Sequence, residues 1–560
     1  MSAPPVEVRV EADGVVGDLA RLWTSIGYDE LNWTGTPRGR ALLRTLASFE
    51  GGPYLVRSHN MFTSGTGMAL PHWSAGNVYQ EDAAGRVRCD FQLLDAAYDA
   101  VVEAGHVPIV ELGFTPQPLV PEDAAQRYAY EPGSPSQYGF YEAGGWSFPP
   151  KSLARWGELV AATVAHCARR YGRARLAPWR FEVWNEPDIS YWRGTPQEYF
   201  ALYRTSVEAV RSVLPEARVG GPATTGDLQP NDTERLAGPA FLGRFLDECV
   251  RAAVPIDFVS FHTKGVYFRP LRGYQPPGAL AAPQSPSMVK MLREVKGGLD
   301  AVAARPELAG VECLADECDA SVPAHHGRFD NSNFSYRNSE YYPVFQCALM
   351  KKLLDLDAAH PAHLAAATAW AFYIEGERCF EGTRSLVTYA DIEKPVLHAY
   401  RLLGRLGRKR LRAHSSAAWP LERLEVDEEI PEEVDVLAAR DEGDTVAVLC
   451  WRHRDDQHAP DRTARAVRIS LSGLGSAVVT VREWRVDAAH GNSFRLWESL
   501  GAPDYPDAEQ IAALRHASEL GCAGPDRRER VVDGVLVLDS ALALPAAVLF
   551  EITPVHGVSQ

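Results

Sequence analysis

Long apolar runs are missing from this chain. Its most apolar stretches, such as Ala365–Ile374, fall short of the roughly 20 residues that cross a bilayer, so no membrane span is expected. The first residues, MSAPPVEVRVEADG, have neither the basic start nor the apolar block of a secretory leader, and a cytoplasmic location is expected. Cysteine is scarce, with nine scattered through 560 residues and not one CxxC pair. That odd, unpatterned set points to unpaired thiols in a reducing compartment. Positive charge is in deficit, 57 Lys and Arg against 73 Asp and Glu for a net charge of −16. No long stretch is dominated by cations, which argues against nucleic acid or an anionic membrane as partner. An acidic small substrate would still need only one or two local cations. HExxH, GxxxxGK[ST] and GxSxG are absent as well, so zinc protease, P-loop NTPase and α/β-hydrolase chemistry lack their minimum residues. No metal and no other cofactor is expected.

What is present is a soluble globular composition, 46% hydrophobic and 23% charged, in a chain long enough for two domains. From residue 15 to 407, short apolar runs alternate with helical stretches. The runs are TSIGYDEL (24–31), YLVRSH (54–59), VPIVELGF (107–114), RFEVWNEP (180–187), RVGGPA (218–223), DFVSFHTKG (257–265), VECLADEC (311–318) and ATAWAFY (367–373). Strands alternating with helices imply parallel βαβ units, and eight of them predict an α/β fold of the (β/α)8 TIM-barrel type. After Gly407, short alternating strands such as TVAVLCW, VVTVREWRVD and AAVLFEIT predict an all-β sandwich. The opening VEVRVEA also alternates, so residues 1–14 are expected to join 408–560 in that accessory domain.

The run FEVWNEPD raises the functional question, because it ends a buried strand on a carboxylate, Glu186. A second run, VECLADEC, ends strand seven on Glu317. Active sites of this barrel lie at the C-terminal ends of its strands, so both carboxylates are expected at one mouth. Two carboxylates about 5–5.5 Å apart are the equipment of a retaining glycosidase, one attacking the anomeric carbon and the other protonating the leaving oxygen. Asn185 is placed to bind a sugar hydroxyl next to that carbon. Glu186 is expected to be the general acid/base and Glu317 the nucleophile, with His262 on strand six as a contributor.

With these residues the chain resembles glycoside hydrolase family 39, the retaining β-xylosidases and α-L-iduronidases. The matching stretches are YLVRSHNMF, VELGFTPQPL, PPKSLARWGELV, FEVWNEPDISYW, VGGPA, FVSFH, ADECD and KPVLHAYRLLGRLG, with RVDAAHGNSFRLWESLGAP in the C-terminal part. The resemblance implies Glu186 as acid/base and Glu317 as nucleophile, and it places His59, Phe114, Asn185 and His262 in the sugar site.

Within the family, FEVWNEPDISYW is similar to the xylosidase branch. His262-Thr263-Lys264-Gly265 and Asp316-Glu317-Cys318-Asp319 resemble the iduronidase branch instead. There Lys264, with Arg384 beyond strand eight, would read a carboxylate on C5 through charge-assisted hydrogen bonds. The alternative for Lys264 is a loop lysine, or one paired with Asp319. Trp370 is either a stacking platform or barrel core, and Glu375 and Glu377 either touch a sugar hydroxyl or are solvated loop residues. The expected activity is exo-acting hydrolysis of β-D-xylosides or α-L-iduronides, with a carbohydrate as partner and homo-oligomers possible. An endo-acting hydrolase of an acidic polysaccharide and a non-catalytic carbohydrate-binding protein are the alternatives.

Overall fold

A computed structural model describes residues 4–65, 74–127, 145–226, 236–269, 281–441 and 443–555. Eight parallel strands form a barrel in chain order: Ser25–Tyr28, Leu55–Ser58, Val107–Leu112, Arg180–Val183, Arg218–Thr224, Phe258–Lys264, Glu312–Asp319 and a split eighth, His363–Ala367 with Ala369–Trp370. Trp370 pairs with Gly27 of the first strand and closes the ring. Several boundaries differ from the expectation, and strands three and four stop at Leu112 and Val183, short of residues 114 and 187. Strand one stops at Tyr28, and Leu31–Thr34 forms a helical turn. Strand eight begins and ends earlier than residues 367–373. The apolar residues after Trp370 are buried against strand one rather than laddered, with the Phe372 ring stacked on Tyr28 at 4.0 Å.

The helices around the barrel follow from capping and periodicity. Thr195 and Glu198 make a reciprocal capping box, and Pro196 supplies the first turn of helix Pro196–Val213. Its Tyr199, Leu202, Tyr203, Ser206, Val207 and Val210 recur at helical spacing and are buried on one face. Ser152 caps Leu153–Tyr171 by accepting from the Arg155 N–H, and that helix buries Trp156, Leu159, Val160 and Val164. Each large side chain buried so completely contributes about 1.5–3 kcal/mol.

The second sheet has nine strands, mostly antiparallel. The opening strand, Val6–Asp18, lies inside it, antiparallel to Lys409–Ser415 and parallel to Asp461–Ser472. It runs past the expected boundary at residue 14. Val6, Val8 and Val10 point into a core with Val448, Ile469 and Val548, as a period-two strand requires. The second sheet is tied to the barrel's outer helices by buried ion pairs, with Lys352 Nζ of helix Tyr341–Ala359 2.8 Å from both Glu433 and Asp435. Helix Met288–Ala303 of the barrel is also anchored there. Asp455 accepts from the Met288 N–H at 2.8 Å, and Ser287 donates to the Glu428 carbonyl at 2.8 Å. All nine cysteines are unpaired, and among the described residues no helix is long and apolar enough to cross a membrane.

Candidate active site

The chain leaves strand four by two left-handed residues, Trp184 (φ 72°) and Glu186 (φ 46°). Such conformations cost about 1–3 kcal/mol each in a non-glycine residue and persist only where the surroundings hold them. Here Trp184 is fully buried, its Nε1 donates to the Tyr191 carbonyl at 3.1 Å, and its ring meets Phe114 and Trp192 edge-on. The Glu186 N–H donates to the Ala223 carbonyl on strand five at 2.9 Å. The packing thus turns the Glu186 side chain over the barrel mouth.

Glu317 arrives by a different device. The register between strands six and seven slips between Ala315 and Glu317. That slip lets two consecutive residues, Asp316 and Glu317, both sit among the inward-facing charges. Oxygens of Glu186 and Glu317 and a nitrogen of His262 then lie within 4.8 Å of one another. Retaining glycosidases hold their carboxyl groups roughly 5–5.5 Å apart and inverting ones roughly 6.5–9.5 Å, so an approach this close suits retention.

The charges around the pair differ on its two sides. His262 Nδ1 is 2.8 Å from Glu186 Oε1 and 3.6 Å from Glu317 Oε2. Burial pushes His262 down to about 3, so the imidazole is neutral at pH 7. Lys264 Nζ donates to Glu317 at 2.7 Å and to Asp319 at 3.0 Å. Arg57 donates to Glu317 at 3.1 Å, and His59 Nε2 lies 3.3 Å away. Burial alone would raise the Glu317 carboxyl, but His262, Lys264 and His59 carry it well below the usual range. Of these, the cations Lys264 and His59 are the partners that keep it ionised.

The other expected residues divide into two groups. Asn185 is buried, its Oδ1 accepts from Arg57 at 2.8 Å, and its Nδ2 has no hydrogen-bond partner among the described residues. His59 sits 4.6 Å ring to ring from Trp370 and 6.2 Å from Phe114, so these three line the same end of the barrel. Arg384 donates to Asp29 at 2.6 Å, faces Glu30 at 3.1 Å and lies 5.2 Å over Trp370. Lys264 meets both Glu317 and Asp319, so the pairing considered as its alternative is present. Glu377 turns instead into the strand-eight loop, where Ser385 and Thr383 donate to it, and Glu375 is half-exposed 3.5 Å from Arg38.

Comparison with known proteins decides the family. The family model for glycosyl hydrolases family 39 matches residues 72–525. The chain belongs to glycosyl hydrolases family 39. A β-xylosidase of Caldicellulosiruptor saccharolyticus is 28% identical over 463 residues, 81% of this chain and 80% of that protein. Human α-L-iduronidase is 26% identical over 440 residues, 72% of this chain and 60% of that protein. The family 39 enzyme of Xanthomonas axonopodis pv. citri has the same fold, with a TM-score of 0.76 at 22% identity over 99% of this chain and 98% of that one. This chain is therefore a glycoside hydrolase, and retention of anomeric configuration is a property of its family.

Beneath the Glu186–Glu317 pair lies a layer of charges whose roles the sequence patterns did not single out. Arg57 Nε lies 2.6 Å from Glu182 and 3.2 Å from Asp316, and Nη2 lies 3.6 Å from Glu111, all fully buried. Burial and the neighbouring Glu182 hold Asp316 well above the usual carboxylate range, so it keeps its proton. Burial raises Glu111 to about 7, against the opposing charges of His59 and Arg57. His59 is raised to about 10. Burial opposes that rise, while Glu111, Asp29 and Glu317 drive it. The signal for this layer was there to read, as single charges inside otherwise apolar strands, R in YLVRSH, E in VELGF and E in FEVW, with D beside Glu317 in ADEC. Glu186, His262 and Glu317 have the spacing of metal ligands. Lys264 and Arg57 already supply positive charge at Glu317, so a divalent ion would meet repulsion there, and the trio suits proton transfer better.

Proposed function

We propose that this family 39 chain is an exo-acting retaining glycosidase for sugars configured like β-D-xylose at C1 to C4, a group that includes α-L-iduronides. Glu317 is the nucleophile and Glu186 the acid/base. The carbon–oxygen bond to the leaving group breaks as a Glu317 oxygen bonds to C1, and Glu186 gives its proton to the departing oxygen. Water then attacks C1 from the vacated side, Glu186 takes its proton, and the Glu317 ester bond breaks. Asn185 Nδ2, buried and without a partner among the described residues, donates to the sugar hydroxyl beside C1. Cytoplasmic residence belongs to the same reading, supported by nine unpaired cysteines.

The observation that carries this reading is the approach of the two carboxylates to within 4.8 Å, with neutral His262 beside both. The test is trapping with the 2-fluoro glycosyl fluorides of β-D-xylose and α-L-iduronic acid. The expected result is one sugar ester on Glu317, found by peptide mass. A label on Glu186, or turnover without a label, would overturn the assignment.

Lys264 favours the uronide within that group. An ammonium has three N–H bonds, and two of them go to Glu317 and Asp319, which leaves one direction for a C5 carboxylate. A hydrogen bond between charged partners contributes about 1.5–3 kcal/mol, so Lys264→Met should cost the iduronide roughly 10- to 150-fold in kcat/KM beyond its effect on the xyloside. The neutral xyloside is favoured by a different fact. Lys264 already faces two carboxylates, and Arg384 faces Asp29 and Glu30. Parallel assays of aryl β-D-xyloside and aryl α-L-iduronide decide between them.

A further inference from the structure

Lys264 is the last residue of strand six, and both of its main-chain polar groups are held from outside the barrel. Its N–H donates to Glu294 Oε2 at 2.9 Å, and its carbonyl accepts from Lys290 Nζ at 2.6 Å. Lys290 and Glu294 stand one turn apart on helix Met288–Ala303 and form an ion pair. Thr263 Oγ1 also donates to Glu294 Oε2 at 2.9 Å. Room for this carboxylate is made by Gly226, where a Cβ would come 2.7 Å from the Glu294 carboxyl carbon and 2.8 Å from the His262 carbonyl. The Glu294 side chain is only 5% exposed, whereas Lys290 is 45% exposed. A buried carboxylate that serves two consecutive residues of a strand end is costly unless it is fully paired.

We propose that Glu294 and Lys290 are positioning residues that act through Lys264, fixing where its ammonium meets Glu317, Asp319 and the sugar. Neither reaches the reacting atoms. Their pairing sets the plane of the 263–264 and 264–265 peptides, and so the direction in which the Lys264 side chain leaves the strand. The neighbouring Gly265 N–H donates to the Asp319 carbonyl at 2.9 Å, so the same stretch fixes the second acidic partner of Lys264. Catalytic geometry is sensitive at this scale, because a displacement of about 1 Å at a reacting group can cost about 100-fold in rate.

The inference rests on the proposed place of Lys264 in the sugar site, and a double-mutant cycle tests it. Glu294→Gln keeps the shape and an acceptor for the Lys264 N–H but removes the charge that holds Lys290. Alone it should lower kcat/KM about tenfold, a loss within the usual coupling of contacting residues. In a Lys264→Met background the same change should cost less than about twofold, because its target is gone. Equal losses in both backgrounds would show a general structural role and overturn the proposal. If Glu294→Gln does not fold, Lys290→Met, at a half-exposed site, carries the same cycle. The faster of the two aryl glycosides serves as substrate. An unchanged iduronide-to-xyloside ratio in Lys264→Met would sink the carboxylate reading alone, and the coupling measured by the cycle would still decide the positioning role.

Discussion

Replacing Arg57 by lysine keeps the charge and removes the fork, which isolates what the fork does. Its Nε donates to Glu182 at 2.6 Å, Nη1 to Glu317 at 3.1 Å and Nη2 to Asn185 at 2.8 Å, with Asp316 lying 3.2 Å from Nε. These partners lie on strand seven and on or just past strand four, in directions fixed by the guanidinium plane. A lysine ammonium is one point at the end of a shorter reach and can meet one or two of them. At least one buried acceptor then loses its donor, at about 1–3 kcal/mol. The expected loss of stability is about 3–5 kcal/mol, the cost of breaking a buried charge pair. Turnover should fall about 100-fold, because Asn185 and Glu317 lose the donor that orients them. Urea unfolding followed by tryptophan fluorescence at pH 7 reads the first quantity, and kcat on an aryl glycoside reads the second. A variant within about 1 kcal/mol of the parent and within about threefold in kcat would contradict this account, since the buried acceptors would have lost nothing measurable with the fork.

Two further outcomes follow from the same charges. Glu186→Gln should lower turnover of glycosides with poor leaving groups about 100- to 10,000-fold, while aryl leaving groups that need no proton keep bond cleavage near the parent rate. Equal losses on both, measured as burst kinetics, would remove Glu186 from the acid role. His59, raised to about 10, gives stability that is complete below its ordinary value near 6.5 and is lost as pH rises through 10. The urea midpoint should therefore fall between pH 7 and pH 10, and His59→Gln should flatten that fall; an unchanged slope would show that the proton sits elsewhere.

The catalytic candidates were legible because each is a carboxylate at the end of an apolar strand. The fold predicts where such strand ends converge, so Glu186 and Glu317 could be paired from opposite parts of the chain. Arg57, Glu111, Glu182 and Asp316 escaped because a parallel strand is buried on both faces and shows no period-two pattern. A charge inside it then looks like noise instead of an inward position. The slip at Asp316 and Glu317 left no trace either, since nothing in ADECD marks a bulge. Glu377 was unreadable for another reason. Its surroundings, Thr383, Ser385 and the charge of Lys394, come from a loop with no periodicity to fix which side chain faces which.

The strand Val6–Asp18 is made before the barrel, yet its neighbours Lys409–Ser415 and Asp461–Ser472 are made after all of it. At about 5–20 residues per second, the roughly 390 residues between the opening strand and its nearer partner take about 20–80 s to emerge. Through that interval the ribosome-bound chain carries an alternating Val6-Val8-Val10 edge with nothing to pair it, while the barrel beside it can already close. The order of synthesis therefore gives the barrel the chance to close before the accessory sheet can. Its opening strand is a placeholder, kept waiting for a partner that the ribosome has yet to reach.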